Sequence, residues 1–275
     1  NSLSYAQERK QGKSNNNKDN KTDEIIKHAD IRRSLLNMKS IIQGQRSLAF
    51  WLSQQIDVSL NHTNEKIRKN AEDLVSLMTP VVKSFFTDMG TEITNEAIQV
   101  FGGYGYTKDQ GIEQLYRDNR ITPIYEGTNS VQAIDLVFRK VLNNKILLNF
   151  ISIVKEEIKI NQETSELKEF SKILSNNLRL LEDFSILLEK MNKTNKDDVS
   201  AACNDFLKVL GYISLAFSWF KISKISFKKI NDNKSFYEEK INTAKYFYDK
   251  ILPRAEMHYN SAKSGSNIIM NAKFN

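Results

Sequence analysis

From Ile31 to Ala255 the apolar residues of this chain recur at intervals of three and four, and no stretch of useful length alternates apolar with polar. That period places an apolar stripe along an α-helix, and the lack of alternation argues against half-buried strands. Ile31, Leu35, Met38, Ile42, Ala49 and Leu52 predict an amphipathic helix reaching about Leu60. Asn61 to Asn64 break it, and Asn64 can cap a second helix carrying Ile67, Ala71, Leu74, Met78, Val81 and Phe85. Pro80 inside that helix predicts a kink or a local restart, and Thr91 to Phe101 reads as a further helical stretch. With three prolines and ten glycines in 275 residues, breakers are few. The expected fold is all-α.

A short helix is expected over Ile112 to Asp118. Pro123 forbids its continuation, and a new helix starts near Thr128 or Asn129 and can run to about Ile160. After a turn at Asn161 to Thr164, one apolar face runs from Leu167 to Leu188 and a second from Val199 to Phe220. A last face runs from Tyr237 to Ala255, with a bend at Pro253. Short connections between such helices predict antiparallel neighbours in a bundle. The aromatic stripe Phe206, Phe217 and Phe220 reads as core. Near the start, Leu3 to Arg9 is helix-like with Gly12 as its stop. Lys13 to Lys21 is a polar connection with no reason to fold by itself, and Thr22 with Asp23 can cap the helix after it.

Charge and cysteine content narrow the function classes. The net charge of +7 comes mostly from lysines spread along helices, which reads as a solvated face, and nucleic-acid binding is not expected. The single cysteine, Cys203, sits at an apolar helical position and reads as a buried structural thiol. It fits a reducing compartment, so a cytoplasmic location is expected. His28, His62 and His258 lack ligand-like spacing, and no metal site is expected. The apolar run Val209 to Phe220 is too short to span a bilayer, so no stable membrane insertion is expected. The chain begins at Asn1 without a methionine or a signal-peptide pattern, which reads as a fragment of a longer protein.

Five of the ten glycines lie between Gly102 and Gly127, interleaved with carboxylates, arginines and hydroxyls. Such a cluster in a glycine-poor helical chain marks backbone that turns sharply or is approached closely. Within it, Glu126 comes after Pro123 and precedes Gly127 and a helix start. Its backbone N–H and that of Gly127 would lie near a helix N-terminus, which favours negative charge on a nearby acceptor. A carboxylate base beside such donors suits proton abstraction next to a carbonyl. The same placement suits a glutamate that caps the helix, and the residues alone leave both readings open.

Four motifs in order carry a resemblance: Tyr5-Ala-Gln-Glu-Arg-Lys-Gln-Gly12, Gln99-Val-Phe-Gly-Gly-Tyr-Gly-Tyr106, Tyr116-Arg-Asp-Asn-Arg-Ile121 and Ile124-Tyr-Glu-Gly-Thr128 with Gln132. Together they resemble the C-terminal part of an acyl-CoA dehydrogenase over roughly residues 1–150. Residues 151–275, and the stretch Leu77 to Lys83, are similar to larger bacterial members with a helical C-terminal extension, the branch that includes 3-methylmercaptopropionyl-CoA dehydrogenase. The resemblance implies a C-terminal helical bundle over 1–150 succeeded by a second helical bundle over 151–275.

The resemblance also implies roles. Glu126 stands where the family carries the base that takes the α-proton of an acyl-CoA thioester, with the β-hydride passing to flavin N5 and a trans-2-enoyl-CoA as product. The cofactor implied is FAD. Arg9 and Gln11 match positions on the FAD of a neighbouring subunit, Gln99, Gly102 and Gly103 the loop against its pyrophosphate and adenosine, and Thr128 a contact at the helix start. Tyr125 and Gly127 match the substrate side. Arg117 and Asp118 read as ion-pairing residues around the loop. A homo-oligomer, at least a dimer, and an electron-transfer flavoprotein as electron acceptor are implied partners. The motif departs at Gly12, where many members have an aromatic. The family's N-terminal helical domain and β-domain are not within these residues, so the chain is expected not to catalyse alone. The alternatives are an acyl-CoA oxidase, which passes electrons to oxygen, and a non-catalytic helical assembly module.

Overall fold

The computed structural model describes residues 1–18, 21–161 and 164–274, and every regular element among them is helical. Two long helices form the scaffold. Helix α2, Ala29–Asn61, and α3, Glu65–Phe101, are about 50 and 55 Å long at 1.5 Å per residue. They turn back on each other through three residues, and Asn64 caps α3 by accepting from the Ile67 amide at 3.2 Å. Before them lies α1, Ser2–Glu8. After them come α4, Gly103–Tyr106, α5, Ile112–Arg120, and α6, Asn129–Ile134, which continues as a π-helical stretch over Asp135–Asn143. The rest is α7, Leu147–Ile160; α8, Lys168–Thr194; α9, Lys196–Lys228; α10, Lys234–Tyr246 with a π turn at Phe247–Ile251; α11, Arg254–Ala262; and α12, Asn267–Met270.

Helix α9 is the centre of the packing and touches α2, α3, α6, α8, α10 and α11. It is buried on nearly all sides, as a helix apolar all round must be. Its Trp219 lies fully buried over Gly44 of α2 and donates to the Ser40 carbonyl at 3.0 Å. Gly211 performs the same service for Phe85 of α3, because a Cβ there would stand 2.4 Å from the ring. One hydrophobic core therefore runs from α2 and α3 through α6 to α8, α9 and α11. By length and composition alone the whole of α9 is apolar enough to cross a membrane, although its run Val209 to Phe220 is shorter than a span. In this fold its apolar surface is taken up by the surrounding helices. Cys203, as expected, is a buried thiol: it donates to the Val199 carbonyl at 3.2 Å, and burial pushes its pKa up to about 12.

Three sequence expectations are corrected. Helix α3 runs through Pro80 without a restart and merges with the Thr91 stretch. The residues around the proline, Leu77, Met78, Val81 and Phe85, are all fully buried, and that packing outweighs one lost backbone bond. Gly90 also sits mid-helix, because a Cβ there would lie 2.5 Å from Asn119 Oδ1. The helix expected from Thr128 to Ile160 is instead interrupted at Asn144 to Ile146. Asn144 closes a five-residue turn onto the Arg139 carbonyl at 3.2 Å, and Lys145 takes a left-handed φ of 53°. Thr22 and Asp23 cap no long helix; the residue preceding α2 is His28.

Asp23 is an anchor for the polar connection instead. Its Oδ2 accepts from the Ser14 amide at 2.9 Å, the Ser14 hydroxyl at 2.8 Å and Asn17 Nδ2 at 2.7 Å. The described part of the connection thus has a fold of its own, contrary to its composition; Asp19 and Asn20 lie outside the described residues. These donors hold the Asp23 carboxyl well below its ordinary pKa of 3.8. A depressed folded pKa means that the contribution to stability is full above the ordinary value and is lost as pH falls through the lower folded one. The protection of residues 14–17 against hydrogen exchange, relative to the intrinsic rate at each pH, is therefore expected to fall below about pH 4, and Asp23→Asn to remove that pH dependence. Protection that stays constant through this range in the wild type would contradict the anchor.

Candidate functional site

Two places gather the residues singled out by sequence. The first is a groove at the C-terminal end of α3. Tyr5 of α1 stacks on Phe101 with ring centroids 4.3 Å apart, and Ala6, Ile25, Met38 and Val100 form a small core beneath. This packing brings Arg9, Gln11, Gln99, Gly102 and Gly103 onto one cavity of about 610 Å³. The chain after α1 is held there by backbone bonds, Ile25 to the Arg9 carbonyl at 2.8 Å and Gln11 to the Asp23 carbonyl at 2.9 Å. His28 adds a ring-nitrogen contact to the Gln11 carbonyl at 2.8 Å. Gly12, with a left-handed φ of 68°, turns the chain at the end of this segment.

The glycines of this groove separate by cause. Gly105 is structural, since a Cβ there would lie 2.6 Å from the Ile98 carbonyl oxygen. Gly102 has φ 61° and ψ −143°, a conformation that needs glycine. Gly103 has neither reason: its φ is ordinary and a Cβ would meet nothing within 4 Å. Its bare backbone leaves room for something outside the chain. The Arg9 guanidinium has no hydrogen-bond or ion-pair partner among the described residues, so its charge is free for an anion. Exposed backbone, an amide side chain and a free guanidinium suit a phosphate-bearing group such as a dinucleotide.

The second place is the turn between α5 and α6. Tyr125 closes it with an amide bond to the Ile121 carbonyl at 3.1 Å, and Asn129 with one to the Pro123 carbonyl at 3.1 Å. Between them Glu126 and Gly127 both have left-handed backbone, with φ 54° and 84°. For a glutamate this conformation costs of the order of 1–3 kcal/mol and persists only when the surroundings impose it. Lys83 of α3 donates to the Gly127 carbonyl at 2.6 Å, and Gln132 of α6 to the Glu126 carbonyl at 3.2 Å. With both carbonyls pinned, the Glu126 and Gly127 amides donate to nothing among the described residues. The Glu126 side chain is exposed and likewise without a partner. Thr128 is the cap of α6, its hydroxyl accepting from the Val131 amide at 3.5 Å, so the capping reading of Glu126 fails.

The structure also gives two asparagines contacts that sequence reading did not foresee. Asn129 donates to the Ser84 carbonyl at 3.1 Å and to Asp88 at 2.6 Å, and accepts from Lys83 at 3.0 Å. Asn119 donates to the Thr87 carbonyl at 3.2 Å and to the Thr91 hydroxyl at 2.8 Å. Both lock the turn onto α3 across sequence separations of about thirty to fifty residues, which no local pattern encodes. Arg117 pairs with Glu113 at 3.8 Å, whereas Asp118 has no partner among the described residues, so only half of that expected ion pairing is present. No cluster of metal-binding side chains occurs among the described residues.

Residues 1–141 match the profile described as "Acyl-CoA dehydrogenase, C-terminal domain", and residues 150–273 match "Acetyl-CoA dehydrogenase C-terminal like". The chain belongs to the acyl-CoA dehydrogenase family. It is 39% identical over 142 residues to 3-methylmercaptopropionyl-CoA dehydrogenase of Ruegeria pomeroyi, a match covering 52% of this chain and 24% of that protein. It is 35% identical over 149 residues to the broad-specificity linear acyl-CoA dehydrogenase FadE5 of Mycobacterium tuberculosis, covering 53% and 24%. The acyl-CoA dehydrogenase fold is shared with Caenorhabditis elegans ACDH-11, solved in complex with C11-CoA, at TM-score 0.74 and 20% identity over all of this chain and 44% of that one. It is shared also with the Bacillus anthracis acyl-CoA dehydrogenase complexed with FAD, at TM-score 0.72 and 18% identity over 99% and 46%. Matches of the chain thus span about a quarter of the curated relatives' length and less than half of the solved ones.

Proposed function

We propose that this chain supplies the base and part of the cofactor site of an FAD-dependent acyl-CoA dehydrogenase. The observation that carries the reading is the Glu126–Gly127 pair, in which strained backbone leaves a carboxylate and two amides exposed and unpartnered on one turn. In the proposed reaction the Glu126 carboxylate takes the α-proton of an acyl-CoA thioester. The Glu126 amide, with that of Gly127 beside it, donates to the thioester oxygen as negative charge develops there, and Tyr125 and Gly127 border the substrate. FAD, when bound, supplies the acceptor for the β-hydride, so that the product is a trans-2-enoyl-CoA.

Two sets of residues would hold the cofactor. Thr128 lies beside Glu126. Arg9, Gln11, Gln99, Gly102 and Gly103 lie at the far end of α3, about 27 Å along the helix from Lys83 to Phe101. That separation supports a site shared between subunits, in which the groove of one protomer serves the FAD beside Glu126 of another, and hence a homo-oligomer of at least two chains. The proposed electron acceptor is an electron-transfer flavoprotein rather than oxygen, in keeping with the dehydrogenases to which the chain is 35–39% identical.

The test is anaerobic flavin reduction by the full-length protein, monitored spectroscopically with 3-methylmercaptopropionyl-CoA, butanoyl-CoA and octanoyl-CoA. Bleaching of bound FAD by at least one of them is expected, with 3-methylmercaptopropionyl-CoA the first candidate. A full-length protein that binds no flavin would leave a helical assembly module in place of the enzyme, and rapid oxygen consumption on repeating the assay in air would mark an oxidase.

A further inference from the structure

The turn bearing Glu126 is connected to the C-terminal extension through a relay of charged and polar side chains. Lys83 touches both the Gly127 carbonyl, at 2.6 Å, and Asn129 Oδ1, at 3.0 Å. Asn129 Nδ2 donates to Asp88 Oδ1 at 2.6 Å, and the other oxygen of Asp88 is paired with Lys208 of α9. Reversing the Asn129 amide would aim its oxygen at the Asp88 carboxylate and the Ser84 carbonyl, and its two N–H groups at the Lys83 ammonium. Charge therefore sets its orientation. The Asp88 and Lys208 side chains are only 29% and 21% exposed, so the pair is less screened than a surface bridge.

We propose that Lys208 and Asp88 are positioning residues for Glu126, acting through Asn129 and Lys83 on the Gly127 carbonyl. The inference rests on the reading of Glu126 as the base. In physical terms, α9 does more than fill the core. By fixing Asp88, Lys208 fixes the Asn129 amide, which shares Lys83 with the Gly127 carbonyl. That shared ammonium is one of the two contacts holding the left-handed pair. With Lys208 neutral, Asp88 is free to take Lys83 as its partner, and the Gly127 carbonyl loses its donor. The turn can then relax from φ 54° at Glu126, moving the carboxylate relative to the substrate.

The experiment uses the full-length FAD holoenzyme with Lys208→Met, Lys208→Arg and Glu126→Gln. Flavin reduction per bound FAD is timed with the best acyl-CoA of the panel above and with its α-deuterated form. Lys208→Met is expected to slow reduction roughly tenfold, to raise the α-deuterium isotope effect, and to leave FAD content near wild type, with Lys208→Arg restoring the rate. If Lys208→Met does not yield soluble flavoprotein, Asp88→Asn, which keeps the shape and removes the charge, takes its place with the same expectation. Loss of FAD or thermal stability with an unchanged rate per bound flavin would reduce the pair to a structural contact and overturn the proposal. So would a variant indistinguishable from wild type while Glu126→Gln is inactive. A Glu126→Gln enzyme that reduces as fast as wild type would instead remove the base reading, and this proposal with it.

Discussion

Replacing Glu126 by glutamine in the full-length enzyme is expected to slow flavin reduction by acyl-CoA by about 10²- to 10⁴-fold, the usual contribution of a positioned base. FAD content is expected to stay at the wild-type level. The reasons are local. Glutamine keeps the length and the carbonyl but cannot accept the α-proton. The Glu126 carbonyl keeps its bond from Gln132 and the Gly127 carbonyl its bond from Lys83, so the two amides remain where they are. Because the Glu126 carboxylate has no partner among the described residues, its removal strands no buried group and breaks no ion pair. A large loss of rate with bound flavin and an unchanged melting temperature would therefore report on chemistry alone. Equal bleaching by the variant would mean that another carboxylate, from outside these residues, is the base.

The largest effect on stability is expected at Trp219. Its indole is fully buried, donates to the Ser40 carbonyl at 3.0 Å, and lies so close over Gly44 that a Cβ there would stand 3.0 Å from Nε1. Truncation to alanine opens a cavity between α9 and α2 that the long, stiff helices cannot collapse. The expected loss is about 3–5 kcal/mol in denaturant-induced unfolding, or on the order of 10 °C in Tm for a chain of this size. Trp219→Phe keeps most of the volume and loses the hydrogen bond, for an expected loss of about 1–3 kcal/mol. A loss below about 1 kcal/mol for alanine would show that α2 and α9 close over the gap, and that the contact is not central to the core.

Some of the candidate site was legible because its causes lie within a few residues. Gly102 and Gly127 announced unusual backbone, Pro123 a forced turn, and Thr128 with Asn129 a helix start, and each of these is present, whereas Gly103 has ordinary helical backbone. The groove was legible only as separate motifs, since Arg9 and Gln99 meet through the stacking of Tyr5 on Phe101 across the whole length of α2 and α3. Of the residues that hold the Glu126 turn, Gln132 and Asn119 stood within the motifs, but the contacts they make were not legible. Lys83 and Asp88 look like ordinary polar positions on a helix, and their partners are supplied by other elements.

The same division runs through the fold. The three-and-four periodicity determined an all-helical chain, and the Asn64 cap and the breaks near residues 62, 161, 195 and 231 were set by local side-chain and backbone preferences. Where local preference and packing disagreed, packing decided. Pro80 and Gly90 stayed inside α3 because buried neighbours and Asn119 gain more from a continuous helix than the chain loses at two weak positions. Asp23 became a loop anchor rather than a cap because three donors from residues 14 to 17 converge on it. Dihedral preference and periodicity act over a few residues and are written in order along the chain. A contact such as Lys208 with Asp88, 120 residues apart, exists only once α3 and α9 have packed.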